Sequence, residues 1–92
     1  VTRCAECILH DVARSFGVSP GAIRATRRTG DVVPARFAAY RLLRMEAGLT
    51  TAQIGRIIGN RDHSTICSGI ASAENLLRTD AEFVSRYAEA MG

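Results

Sequence analysis

The chain has 92 residues, a formal charge of +3 and an apolar content of 47%. That is the length of one domain with a real but thinly stabilised core, and no apolar run approaches the roughly 20 residues of a membrane-spanning helix. No apolar segment of secretory type follows the N-terminus, so a cytoplasmic protein is expected; the start at Val1 without a Met fits a processed product or an excised piece of a longer protein.

In chain order, Cys4, Ile8, Leu9, Val12, Ala13 and Phe16 form the i, i+4 stripe of an amphipathic helix over 4–16, closed by Gly17. Ser19-Pro20 reads as an N-cap followed by Pro at the first helical position, opening a short helix to about Thr26 with Ile23 inward. Arg27-Arg28-Thr29-Gly30-Asp31 is turn chemistry and makes a basic loop. Pro34 is expected to open a helix over 34–47, stopped by Gly48.

Thr50 or Thr51 then caps a helix whose Gln53 falls at the position of a capping box, with Ile54, Ile57 and Ile58 on its buried side. After a turn at Gly59-Asn60, Asp62 is placed as N-cap of a longer helix with Ile66, Ile70, Ala73, Leu76 and Leu77 facing the core. Gly69, in the middle of that helix, costs about 1 kcal/mol relative to Ala and suggests close packing against a neighbour. Thr79-Asp80 caps a last helix, about 80–91, with Phe83, Val84, Tyr87 and Met91 expected inward. No strand pattern occurs, so the prediction is an all-α, compact six-helix fold. It forms one domain over 1–92, with a helix-turn-helix at 50–78.

Every basic residue is an arginine, and their distribution is uneven. Residues 20–61 carry Arg24, Arg27, Arg28, Arg36, Arg41, Arg44, Arg56 and Arg61 against only Asp31 and Glu46. Residues 62–92 are acidic: Asp62, Glu74, Asp80, Glu82 and Glu89 outnumber Arg78 and Arg86. A basic middle is the electrostatic footprint of a polyanion partner. The three cysteines, Cys4, Cys7 and Cys67, do not make a disulfide framework. Cys4, Cys7 and His10, with Cys67 or His63 as a fourth ligand, have the letters of a zinc site. A structural site normally pairs two such knuckles and only one is present; no metal and no cofactor are expected.

Two helices joined by a tight Gly-containing turn constitute a helix-turn-helix, in which the first residues of the second helix meet base edges in the major groove. Here those residues are Arg61, Asp62, His63, Ser64 and Thr65. Hydroxyls and imidazole can serve base edges, a Thr methyl or imidazole carbons suit the thymine methyl, and a carboxylate accepts from cytosine or orients an arginine. Asp62-His63-Ser64 also spells a hydrolase triad, but consecutive residues at a helix start diverge in space and cannot converge as a triad must. No G-x-S-x-G, P-loop or HExxH motif is present, so no enzyme activity is expected.

Gly59-Asn60-Arg61-Asp62-His63-Ser64-Thr65-Ile66 closely resembles Gly-Gly-Arg-Asp-His-(Ser/Thr)-Thr-Val, the signature of the C-terminal DNA-binding domain of the bacterial replication initiator DnaA, a TrpR-like helix-turn-helix fold. The likeness extends over about residues 5–78. It implies double-stranded DNA as partner, no membrane, base reading by Asp62, His63, Ser64 and Thr65, and a minor-groove contact by Arg28. Phosphate contacts would come from Arg27, Arg36, Arg41, Arg44, Arg56 and Arg61. The chain departs from the family pattern at Gly30-Asp31, where a basic residue is usual, at Phe37, where Gln is usual, and at Cys67-Ser68-Gly69-Ile70.

Those departures, and a length too short for an ATPase domain, favour a transcription regulator of the phage-like or gene-transfer-agent type, acting with the transcription machinery or with domains outside this chain. The alternative is the DNA-binding fragment of an initiator at an origin element. An alternative of another class is a protein-interaction module that kept the fold and lost site recognition.

Overall fold

The structure is a computed structural model that describes residues 4–25, 30 and 32–91. Six helices follow one another: α1 (Ala5–Phe16), α2 (Pro20–Arg24), α3 (Val32–Met45), α4 (Thr51–Ile57), α5 (His63–Thr79) and α6 (Ala81–Met91), with no strand among the described residues. None of these helices is long and apolar enough to cross a membrane.

The helix boundaries follow from local chemistry. Cys4, Ser19, Thr50, Asp62 and Asp80 each stand before a helix and accept a backbone N–H three residues on, satisfying a donor that the first turn leaves orphaned. Thr50 and Gln53 form the full capping box: Gln53 N–H donates to Thr50 Oγ1 at 3.1 Å and Thr50 N–H donates to Gln53 Oε1 at 2.9 Å. Gly17 and Gly48 end α1 and the α3 turn at φ 70° and 68°, in the left-handed region where a Cβ is disfavoured.

α3 begins at Val32, two residues before the predicted start at Pro34, and ends at Met45 rather than 47. Pro34 is thus the third helical residue. Its missing N–H is one of those the first turn leaves unpaired in any case, so the proline does not set the start. α2 runs over Pro20–Arg24; the predicted end at Thr26 lies outside the described residues.

α3 is the central strut and packs against all five other helices. Its Ala35, Ala38, Ala39, Tyr40, Leu42 and Leu43 are buried together with Ile8, Leu9, Val12 and Phe16 of α1, Ile23 of α2, Ile54 of α4, Ile66 of α5, and Phe83 and Tyr87 of α6. In α6 the inward stripe is Phe83, Tyr87 and Ala90, whereas Val84 and Met91, predicted inward, are 40% and 51% exposed. Each sits one residue past a buried position, and at about 100° per residue that step rotates the side chain off the core face. The ring of Phe83 meets Phe16 at 5.6 Å between centroids, which fixes the orientation of α6 against α1.

Candidate nucleic-acid interface

α4, the turn and α5 form the predicted helix-turn-helix, held together at a backbone contact. Arg61 N–H donates to Gly55 O at 2.8 Å, so the strand of turn leading into α5 lies directly on α4. Only glycine permits this: a Cβ on Gly55 would stand 2.1 Å from the Arg61 carbonyl oxygen. Gly59 and Asn60 turn the chain with φ 70° and 55°, both left-handed, a conformation that glycine and asparagine adopt most readily. Gly59 also packs on the end of α2, where a Cβ would come within 2.6 Å of Arg24 O.

Asp62 then closes the N-terminus of α5 as predicted. Its Oδ1 accepts the Thr65 N–H at 2.9 Å, and that bond holds its carboxyl below the usual aspartate value. His63, Ser64 and Thr65 follow in the first turn, all exposed. The apolar side of the same helix is sealed immediately afterwards by Ile66, fully buried. A short row of hydrogen-bonding side chains is therefore presented by a capped, core-anchored helix end. A carboxylate oxygen has acceptor capacity beyond one bond, so capping leaves Asp62 able to accept from a base as well.

Beside this row runs a concave groove of about 450 Å³ between α3 and α5. Val33, Phe37 and Tyr40 line it from α3, and Ser64, Thr65, Ser68, Gly69 and Ser72 from α5. Gly69 is buried against the Tyr40 ring, and a Cβ there would lie 2.3 Å from Cδ2 of that ring, which is the close packing its position suggested. The same Cβ would stand 3.4 Å from Phe37 Cδ1. An aromatic ring on α3 thus faces a glycine on α5.

The arginines divide into two groups, and several predicted phosphate ligands are engaged by the fold. Arg36 is only 5% exposed. Its Nε donates to Ile23 O at 2.9 Å, and its Nη2 donates to Ala22 O at 3.0 Å and to Ala25 O. Arg61 Nη2 donates to the same Ala25 carbonyl at 2.8 Å. The physical reason is the end of α2. A helix leaves its last carbonyls without partners, and two guanidinium forks supply the missing donors.

Arg41 is turned to the opposite side. Its Nη1 donates to Tyr87 Oη at 2.8 Å, its Nε lies 3.5 Å from Glu74 Oε2, and its guanidinium sits 5.7 Å from the Tyr87 ring centroid. Arg36, Arg41 and Arg61, expected at phosphates, thus have their guanidinium groups engaged within the fold. Arg44 remains exposed, donating to Leu49 O at 3.1 Å, and Arg56 is exposed on α4. Arg27 and Arg28 lie outside the described residues.

Sequence reasoning did not anticipate the close approach at Gly55, although a glycine inside a helix is costly and often has a packing reason. Nor did it anticipate the shared Ala25 carbonyl, because the partner is a backbone atom that carries no sequence letter. No group of three or more His, Cys, Asp or Glu side chains arranged to hold a metal occurs among the described residues.

Residues 5–72 match the family described as the bacterial DnaA protein helix-turn-helix. Among similar proteins, the chromosomal replication initiator protein DnaA of Thermomicrobium roseum is 38% identical over 77 residues, which is 84% of this chain and 17% of that protein. The DnaA of Chloroflexus aggregans is 35% identical over 81 residues, 88% of this chain and 17% of the relative. That of Streptococcus equi subsp. zooepidemicus is 36% identical over 75 residues, 82% of this chain and again 17% of the relative. The chain thus spans about a sixth of the length of the curated relatives it matches.

Proposed function

This chain belongs to the bacterial DnaA helix-turn-helix family, and from that premise we propose that it is a sequence-specific double-stranded DNA-binding domain of the replication-initiator kind. The observation that carries this reading is the first turn of α5. His63, Ser64 and Thr65 are exposed side by side while Asp62 caps them and Ile66 anchors them. A B-form major groove admits a helix of this kind, and the base edges there offer distinct donors, acceptors and the thymine methyl. Ser64 and Thr65 hydroxyls, the His63 ring and the Asp62 carboxylate are the base-reading groups.

Arg44 and Arg56 are the phosphate-contacting residues on the described surface, and Arg27 belongs with them by sequence. Arg28 is assigned to the adjacent minor groove on the family likeness. The six helices share one hydrophobic core, which supports taking the chain as one domain; on the family likeness, that domain acts on DNA in the cytoplasm without catalytic chemistry of its own.

The relatives named above are all replication initiators, and their names weigh toward the initiator reading rather than the transcription regulator expected from the departures at Gly30-Asp31 and Phe37. On that reading, the remaining domains of a longer protein are the partners, and an origin element is the target.

Selection from a randomised duplex pool, followed by sequencing, tests the proposal. Enrichment of the element that the Thermomicrobium roseum initiator enriches in the same experiment is the expected result. Enrichment of an unrelated element would restore the regulator reading. No enrichment over random duplex at physiological salt would overturn site recognition altogether and leave a protein-interaction module.

A further inference from the structure

We propose that Cys4 and Cys7 are a redox-active dithiol, a pair that closes to a disulfide and reopens by exchange with small-molecule disulfides and thiols. The inference stands apart from DNA recognition, because α1 packs on α2, α3 and α6 and carries none of the base-reading residues. The two sulfurs are 3.2 Å apart and both side chains are exposed. Bond formation requires them to approach to about 2.05 Å, a closing of roughly 1 Å between the sulfurs.

The roles of the two thiols differ by position. Cys4 is the N-cap of α1, and its sulfur accepts the Cys7 backbone N–H at 3.4 Å. It also lies within hydrogen-bonding distance of the Cys7 thiol. Those two interactions, the backbone N–H first, hold the Cys4 thiol below its ordinary value. Thiolates at helix N-termini and in Cys-x-x-Cys spacing are the reactive ones. Cys4 is accordingly the attacking sulfur, and Cys7, in the first turn of the helix, is the resolving one.

The chemistry balances with one molecule of a low-molecular-weight disulfide, RSSR, as oxidant. The Cys4 thiolate attacks one sulfur of RSSR, forming a Cys4–S–S–R mixed disulfide and expelling RS⁻. Cys7 gives up its proton, and its sulfur attacks the Cys4 sulfur, closing Cys4–Cys7 and expelling the second RS⁻. Two electrons pass from the protein dithiol to RSSR, and the two thiol protons are taken up by the two expelled thiolates. Excess RSH runs the steps backward.

The test uses the 92-residue chain in buffers of varied glutathione to glutathione disulfide ratio. Samples are quenched in acid, alkylated and examined by intact mass and peptide mapping. The expected product is a species two hydrogens lighter, linked Cys4 to Cys7, with Cys67 alone alkylated, and reverting on addition of reduced glutathione. In Cys7→Ser a glutathionyl group should accumulate on Cys4 for want of the resolving sulfur. In the parent chain under brief limiting iodoacetamide, Cys4 should be modified faster than the exposed Cys67 of the same molecule. Alkylation of both Cys4 and Cys7 at every buffer ratio would overturn the proposal. So would a glutathionyl group that accumulates on Cys4 of the parent chain without closure, or equal alkylation of Cys4 and Cys67. The two measurements on the parent chain decide the matter even if the variant folds poorly.

Discussion

Gly55→Ala is the substitution that most directly tests how the recognition helix is held. In an isolated helix this change is favourable by about 1 kcal/mol, because alanine loses less backbone freedom. Here the added methyl would lie 2.1 Å from Arg61 O and 3.1 Å from Arg61 C. Close carbon–oxygen contacts in proteins run at about 3.3–3.6 Å, so the turn must retreat by more than roughly 1 Å. It cannot do so and keep the 2.8 Å bond from Arg61 N–H to Gly55 O. Overpacking costs about 1–3 kcal/mol and the lost bond a further 0.5–1.5 kcal/mol, roughly. Set against the propensity gain, the net is a destabilisation of about 0.5–3.5 kcal/mol, which for a domain of this size lowers the melting temperature by at least about 2 °C. Urea unfolding followed by far-UV circular dichroism measures it. Gly21→Ala is the control, since its nearest atom would be Ser19 Oγ at 4.0 Å and no clash opposes the propensity gain. The displaced turn also carries His63 to Thr65, so preference for a selected duplex over random DNA should fall with stability. A Gly55→Ala protein as stable as the parent, with unchanged preference, would refute the close approach of turn to helix.

Four other outcomes follow from the geometry. His63→Ala and Thr65→Ala, both at exposed positions, should leave the melting temperature almost unchanged yet each cost about 1–3 kcal/mol of binding to a selected duplex; base-substitution binding series would show one site position relaxed per variant, and unchanged binding would sink the recognition-helix assignment. Arg44→Ala should weaken binding to all duplexes alike and reduce the slope of log K against log salt by about 1, whereas Arg36→Ala should act on stability, by about 1–3 kcal/mol for the Ile23 carbonyl left unpaired. Gly69→Ala should destabilise, against its propensity gain of about 1 kcal/mol, because the Tyr40 ring it would strike is itself buried. For Asp62 the folded carboxyl lies below its ordinary value of 3.8, so its contribution is present above the unfolded value and is lost as pH falls through the folded one. The stability of the parent should therefore decline on the acid side below about pH 5, and Asp62→Asn, whose amide oxygen caps at any pH, should remove that part of the decline. Urea midpoints measured across acid pH compare the two.

Much of the fold was legible because its signals are local. Ser19-Pro20, Thr50 with Gln53, Asp62 and Asp80 each bond a backbone group three residues away, so the letters alone locate the helix starts. The buried stripe of α1 from Ile8 to Phe16 follows from spacing for the same reason, whereas Cys4, expected on it, is the exposed N-cap, and on α5 Ile66 and Ala73 are buried while Ile70, Leu76 and Leu77 are half-buried. What failed was orientation at the edge of a stripe. Val84 and Met91 are as apolar as their neighbours, and only the packing of α6 on Phe16 decides that Phe83, Tyr87 and Ala90 take the inner face. The start of α3 was misplaced because proline is tolerated anywhere in a first turn, so its position does not determine which residue begins the helix.

The candidate site was legible to a different degree for its readers and for its charges. His63, Ser64 and Thr65 could be placed because a cap and an apolar anchor bracket them in the sequence. The arginines could not be sorted by charge, since a guanidinium serves a phosphate and an orphaned helix carbonyl with the same donors. Ala25 O receives both Arg36 and Arg61. It makes those two side chains a link between the end of α2, the start of α3 and the turn that enters α5. Their guanidinium groups fix the turn that enters α5 relative to the end of α2. Removing such an arginine should therefore blur which sequence is bound before it weakens attraction to DNA in general. Exposed Arg44 and Arg56 should do the opposite.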